Sequence, residues 1–199
     1  MEIAGNFRQN ETTSVSKPIS SLEEFNQKYS VDVVEGIILV TDRINNCVLK
    51  KYTTKKEEDQ FSDWEAPHFH NGIFYFVLSS HRYTRAKYVY SFDPNKQSIN
   101  SMLGPLRNPN FIENLLVEFG SGFTTPGEQI VETGMRNGEG IIKIYDLHRS
   151  QGQREIRKIF VKDGAGYGWD GGIDEEKKEI TAFDHVTGTD YKFPIFDKV

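Results

Sequence analysis

The residues whose types and spacing suit chemistry lie in two stretches. The first is Trp64-Glu-Ala-Pro-His68 with His70, which gathers an indole, a carboxylate and two imidazoles within seven residues. His68 and His70 are two apart, so on a strand they share a face, and with a third His, Asp or Glu such a pair takes a metal. His81 and His185 are candidates for that third ligand, but spacing does not bring them near. Histidines with ordinary hydrogen bonds are the preferred reading, and no metal site is expected. The second stretch is the glycine-rich loop Asp163–Asp174. Its three aspartates could offer oxygens to Ca²⁺, the one cofactor entertained, although their spacing is not that of an EF-hand. Its Gly-x-Gly-x-Gly run does not open a helix, which argues against a nucleotide fingerprint. Tyr167 and Trp169 in this loop, like Trp64, are amphipathic rings of the kind that stack on sugars or anchor interfaces. Asp184-His185 is read as a turn pair, because no Gly-x-Ser-x-Gly nucleophile motif accompanies it.

Positioning such residues falls to strands. Gly36–Val40 with Cys47–Tyr52, Ile73–Leu78 with Lys87–Phe92, Gln129–Thr133 with Ile141–Tyr145, and Glu179–Phe183 with Tyr191–Phe196 are four β-branched and aromatic pairs. Each pair brackets a polar connector, most of them rich in Gly, Asn or Asp, which is the hairpin signature. Three of the returning strands end on an aromatic followed by aspartate: Phe92-Asp93, Tyr145-Asp146 and Phe196-Asp197. Counted from Gly36, Gly72, Gln129 and Glu179, the pairs are spaced 36, 57 and 50 residues apart, near the range of propeller blades. Weaker strands are expected over Gln97–Leu103, Leu115–Phe119 and Glu155–Val161. The fold class is therefore all-β and antiparallel, with propeller-like repeats of hairpins. An up-and-down barrel of lipocalin type is the alternative.

Two helices are expected: Leu22–Tyr29, capped by Ser20 or Ser21, and Phe111–Phe119 behind Asn110, for which a β reading of Leu115–Phe119 is nearly as good. Residues 1–20 read as a flexible N-terminal tail, and 21–199 as a single all-β domain.

With the strands in place, the stretch from Trp64 to Leu106 resembles one blade of the five-bladed glycoside hydrolases and fructosyltransferases, of arabinanase, xylosidase and levansucrase type. The resemblance rests on Glu65-Ala-Pro67-His68, the Asn71-Gly72 turn, the aromatic strand running into Ser79-Ser80, and Gly104-Pro105-Leu106. It implies a β-propeller, with Glu65 as general acid and an earlier aspartate as second carboxylate. Asp42 is the nearest candidate for that partner. Glycoside cleavage needs both groups, one to protonate the leaving oxygen and one to attack or to activate water.

The bulk composition limits the alternatives. A net charge of −5 argues against nucleic acid and anionic membranes as partners. The lone Cys47 rules out an intrachain disulfide, and its apolar neighbours suggest a buried small hydrophobe. No signal peptide or eighteen-residue apolar run is visible, so a cytoplasmic location is the default. Three functions are carried forward. The preferred one is a non-catalytic binding protein that holds a carbohydrate or other small ligand on loops around Trp64, His68, His70, Tyr167 and Trp169. A glycosidase-like enzyme built on Glu65 is the second, and a protein-interaction or immunity role the third.

Overall fold

Helix α1 (Leu22–Lys28) begins where the cap is expected. Ser21 Oγ accepts the Glu24 amide at 3.1 Å, and the Glu24 carboxylate accepts from the Ser20 amide and hydroxyl at 2.7 and 2.8 Å. This reciprocal exchange satisfies donors that a helix start otherwise leaves open. Ile19 packs on the core beside Leu22. Residues 19 and 20 thus belong to the fold and not to the expected tail. The computed structural model describes residues 18–54, 64–79, 86–106, 109–121, 140–161, 169–184 and 188–196.

Every other described element is a strand, and each sheet is a meander of consecutive strands. The first sheet holds β1 (Tyr29–Val34), β2 (Ile37–Asp42) and β3 (Cys47–Thr53). The second holds β4 (Trp64–His70), β5 (Ile73–Ser79), β6 (Lys87–Asp93) and β7 (Ser98–Leu106). The third holds β8 (Pro109–Ile112), β9 (Leu115–Ser121), β10 (Gly140–Asp146) and β11 (Glu155–Val161). The fourth holds β12 (Trp169–Asp174), β13 (Glu179–Asp184) and β14 (Thr189–Pro194). All pairings are antiparallel. The described strands divide among four separate sheets and form no closed barrel, so the barrel alternative is set aside.

Burial explains how the sheets stack. Alternate side chains of β5 leave by opposite faces. Phe74, Phe76 and Leu78 enter one core with Ile38, Val40 and Phe25. Tyr75 and Val77 enter another with Leu116, Tyr145 and Leu147. A third core joins Val117, Phe119, Ile142 and Ile144 to Ile180 and Ala182. Three cores therefore bind four sheets, each to its successor in the chain. Trp64 Nε1–H adds a polar tie, donating to the Val31 carbonyl at 2.9 Å across the first interface.

Aspartates close the turns. Asp42, Asp93, Asp146 and Asp174 end β2, β6, β10 and β12, and each Oδ1 accepts backbone amides two or three residues ahead at 2.8–3.2 Å. These are Asx turns, in which the side chain mimics a backbone carbonyl. The expected Phe92-Asp93 and Tyr145-Asp146 endings have this physical cause.

Two expectations need correction, and a third concerns residues outside those described. Phe111–Phe119 is the β8–β9 hairpin and not a helix, because Glu113 turns the chain at φ 52° and alternation places Leu115, Val117 and Phe119 on one core. The expected partner of Ile141–Tyr145, Gln129–Thr133, lies outside the described residues, and the strands described on either side of β10 are β9 and β11. Cys47 is exposed at the start of β3, because that edge strand carries its polar face outward.

Candidate functional site

Where the second sheet faces the third, a polar row interrupts the apolar surface. Tyr75 of β5 is paired with Ser91 of β6, and Ser91 with Asn100 of β7, so hydroxyl, hydroxyl and amide cross three strands on one face. Val77 and Val89 on that face are packed into the interface core. The polar row, with the Tyr75 ring also packed into that core, floors a groove of about 720 Å³, whose opposite wall is Leu147, His148, Arg149 and Arg154 from the β10–β11 connection.

Two floor groups are buried without a partner. Tyr75 is 2% exposed and Ser91 4%, and among the described residues neither hydroxyl makes a hydrogen bond. Both residues line the groove, so their hydroxyls can pair with a molecule held there. Burial, assisted by Asp146 and Asp93 and opposed by Arg154, raises the Tyr75 phenol above its ordinary range. It stays a neutral donor.

Arg154 stands immediately before β11 and reaches across to β7. Its Nε donates to the Arg149 carbonyl at 3.0 Å, Nη1 to the Met102 carbonyl, and Nη2 lies 3.8 Å from Met102 Sδ. All three partners are neutral, and no carboxylate pairs with it among the described residues. Burial pulls its pKa below the usual arginine range, with Tyr75 opposing. The rim cations differ: Lys96 lies 3.4 Å from Asp93, and Arg149 lies 3.3 Å from Asp146. A satisfied pair lies elsewhere in the third sheet, where buried Glu118 accepts from the Tyr145 hydroxyl at 2.8 Å with Lys143 at 4.0 Å.

The residues expected to act have other surroundings. Glu65 lies on edge strand β4 and accepts from Ser79 Oγ at 2.7 Å, with Lys87 Nζ at 2.5 Å. Partial burial raises its pKa, but the hydrogen bonds from Lys87 and Ser79 and the Lys87 charge outweigh that and hold it below the usual range. Asp42 accepts from the amides of Ile44 and Asn45 and from Asn45 Nδ2. Among the described residues the two carboxylates share no partner. Trp64 is half-buried, edge-on to Phe74 and Phe76, so it belongs to the first core and not to a ligand platform. Tyr167 and the side chain of Trp169 lie outside the described residues.

His68 and His70 do share a face, 6.3 Å apart between ring centroids, and the third ring beside them is His148, also 6.3 Å from His70. His68 stacks on Phe111 at 5.1 Å and its Nε2–H donates to the Glu113 carbonyl at 2.7 Å. A bulge at Ala66 (φ 51°) and Pro67, which has no amide to give the ladder, aims this stretch toward the third sheet. Among the described residues no three His, Cys, Asp or Glu side chains are grouped to hold a metal.

Sequence reasoning missed Tyr75, Ser91, Asn100 and Arg154. Ser91 gave a local signal: it is polar at a position alternating with Val89 in an otherwise apolar strand. Arg154 gave none, since Met102 is 52 residues away.

No family model matches the chain, and no curated protein matches it. Among solved structures it is similar to an acylaminoacyl peptidase from Pyrococcus horikoshii, at 13% identity and a TM-score of 0.36, over 85% of this chain and 32% of that one. The chain thus spans about a third of that structure's length. A likeness at this score bears on neither fold nor activity. No helix among the described residues is long and apolar enough to cross a membrane.

Proposed function

We propose that the protein is a non-catalytic binding module in which propeller-like stacked sheets hold a small polar ligand, carbohydrate in class, between the second and third sheets. The observation that carries this reading is the groove floored by the Tyr75 and Ser91 hydroxyls, both buried and unpaired among the described residues. Pockets that bind small molecules combine apolar walls with a few convergent polar groups, and Ile73 and Leu147 supply the apolar part here. A cytoplasmic location accords with the exposed free thiol of Cys47.

The glycosidase reading fares less well. A general acid must hold its proton near neutral pH, so its pKa is raised. Glu65 is shifted the other way, and its ion pair with Lys87 favours the charged form. The interaction reading draws on two exposed side chains, Ile44 within the β2–β3 turn and Val48 at the start of β3.

The test is a thermal-shift and NMR titration of the full chain with neutral and charged monosaccharides. At least one is expected to raise the melting temperature and to move the amides of Tyr75, Ser91 and Asn100. Ser91→Val should weaken that binding about tenfold, and Glu65→Gln should leave it unchanged. Shifts centred on Glu65 would put the site elsewhere, and hydrolysis of an added aryl glycoside, with release of its phenol, would restore the enzyme.

A further inference from the structure

The groove has a charge as well as a shape. Its lining includes three cations, Lys96, Arg149 and Arg154, and one carboxylate, Asp93. Asp93 is consumed locally: Oδ1 accepts the amides of Asn95 and Lys96, and Oδ2 faces Lys96 Nζ. Arg149 shares its charge with Asp146. Arg154 alone among the three has no carboxylate partner among the described residues.

A guanidinium presents five N–H donors in a rigid fork. Three of those on Arg154 are directed at the Arg149 carbonyl, the Met102 carbonyl and Met102 Sδ, which fixes the plane of the group without neutralising it. Two N–H bonds are left. A held, partly buried and unneutralised guanidinium is costly unless an anion completes it, and an oxyanion presenting two oxygens side by side matches its fork better than any neutral group. The Tyr75 phenol is close enough for its charge state to be felt by Arg154, and it is a buried donor awaiting an acceptor.

Resting on the binding reading above, we infer that the groove takes a hydroxylated small molecule bearing an oxyanion, with Arg154 anchoring the oxyanion and Tyr75 and Ser91 pairing with the body or its charged end. Carboxylate and phosphate share this chemistry, so the arms of the experiment separate them. Calorimetric titrations of the full chain with glucose, glucuronate and glucose 6-phosphate are compared, each followed by the amide shifts of Tyr75, Ser91 and Asn100. At least one charged sugar should bind tenfold or more tightly than glucose, and the tighter of the two identifies the oxyanion. Arg154→Gln should abolish the preference for charge. Because Arg154 also ties β11 to β7, Tyr75→Phe serves as a second variant. It keeps the ring and the packing, and should weaken charged-sugar binding about five- to tenfold with an unchanged melting temperature.

If glucose moves the same amides with equal affinity, the oxyanion inference is overturned while the binding reading stands. If no sugar moves them, both fall. A charge preference that survives Arg154→Gln in a folded protein also overturns the inference.

Discussion

Gly104 occupies a position where only a hydrogen fits. Its φ is 151°, and a Cβ built there would collide with the Cδ1 and Cγ carbons of Tyr88 on the neighbouring strand. Gly104→Ala should therefore cost roughly 2–4 kcal/mol, from backbone strain plus overpacking. Urea denaturation measures the loss. Pairing the change with Tyr88→Ala should return part of it, and an alanine variant as stable as the parent would sink the steric argument. In the sequence Gly104-Pro105 is one more turn dipeptide, because the ring that fills its space belongs to a strand sixteen residues earlier. Glu65 is the converse case. The residue was easy to single out, but the state of its carboxyl depends on Lys87, which only strand pairing brings alongside.

At the scale of elements, α1 is held to the first core chiefly by one ring. Phe25 is 1% exposed, stacks on Phe74 at 4.2 Å with an 11° interplanar angle, and meets Tyr29 at 5.3 Å. Phe25→Ala should cost about 3–5 kcal/mol, since a cavity there adjoins both the helix and the second sheet. Loss of cooperativity in the unfolding curve with little change in midpoint would show instead that the helix docks independently. The helix, its Ser21 cap and most strands were legible because each rests on local spacing: i to i+4 on the helix, alternation on the strands. The β8–β9 hairpin was misread because Phe111, Leu115 and Phe119 also satisfy helical spacing, and the deciding feature was the turn at Glu113-Asn114. The groove was largely illegible. Its floor needs the register Tyr75–Ser91–Asn100 and its wall needs the third sheet, and neither is written in any short window.

At the scale of the molecule, the turn aspartates make stability a function of pH. Hydrogen bonds and nearby cations hold Asp146 and Glu65 below their ordinary values despite burial, and hold Asp42 and Asp174 there too. A depressed folded pKa gives stability that is complete above the unfolded value, about 4, and is lost as pH falls through the folded one. His70 opens a second window. Burial, with His68 and His148 nearby, lowers its pKa from 6.5, so the unfolded chain takes its proton first and stability declines as pH drops below about 6.5. Urea midpoints measured from pH 8 to 3 should therefore fall in two steps, and His70→Asn should remove only the upper one. A single step near pH 4 in both proteins would discount the histidine row. The four-sheet order has one consequence beyond equilibrium. Each sheet is a run of neighbouring strands, and each joins the one synthesised before it, so every core is complete soon after its second sheet leaves the ribosome. None of the described strands waits for a distant partner, and interruption of synthesis after β7 would leave a stacked pair of sheets with its groove floor already laid.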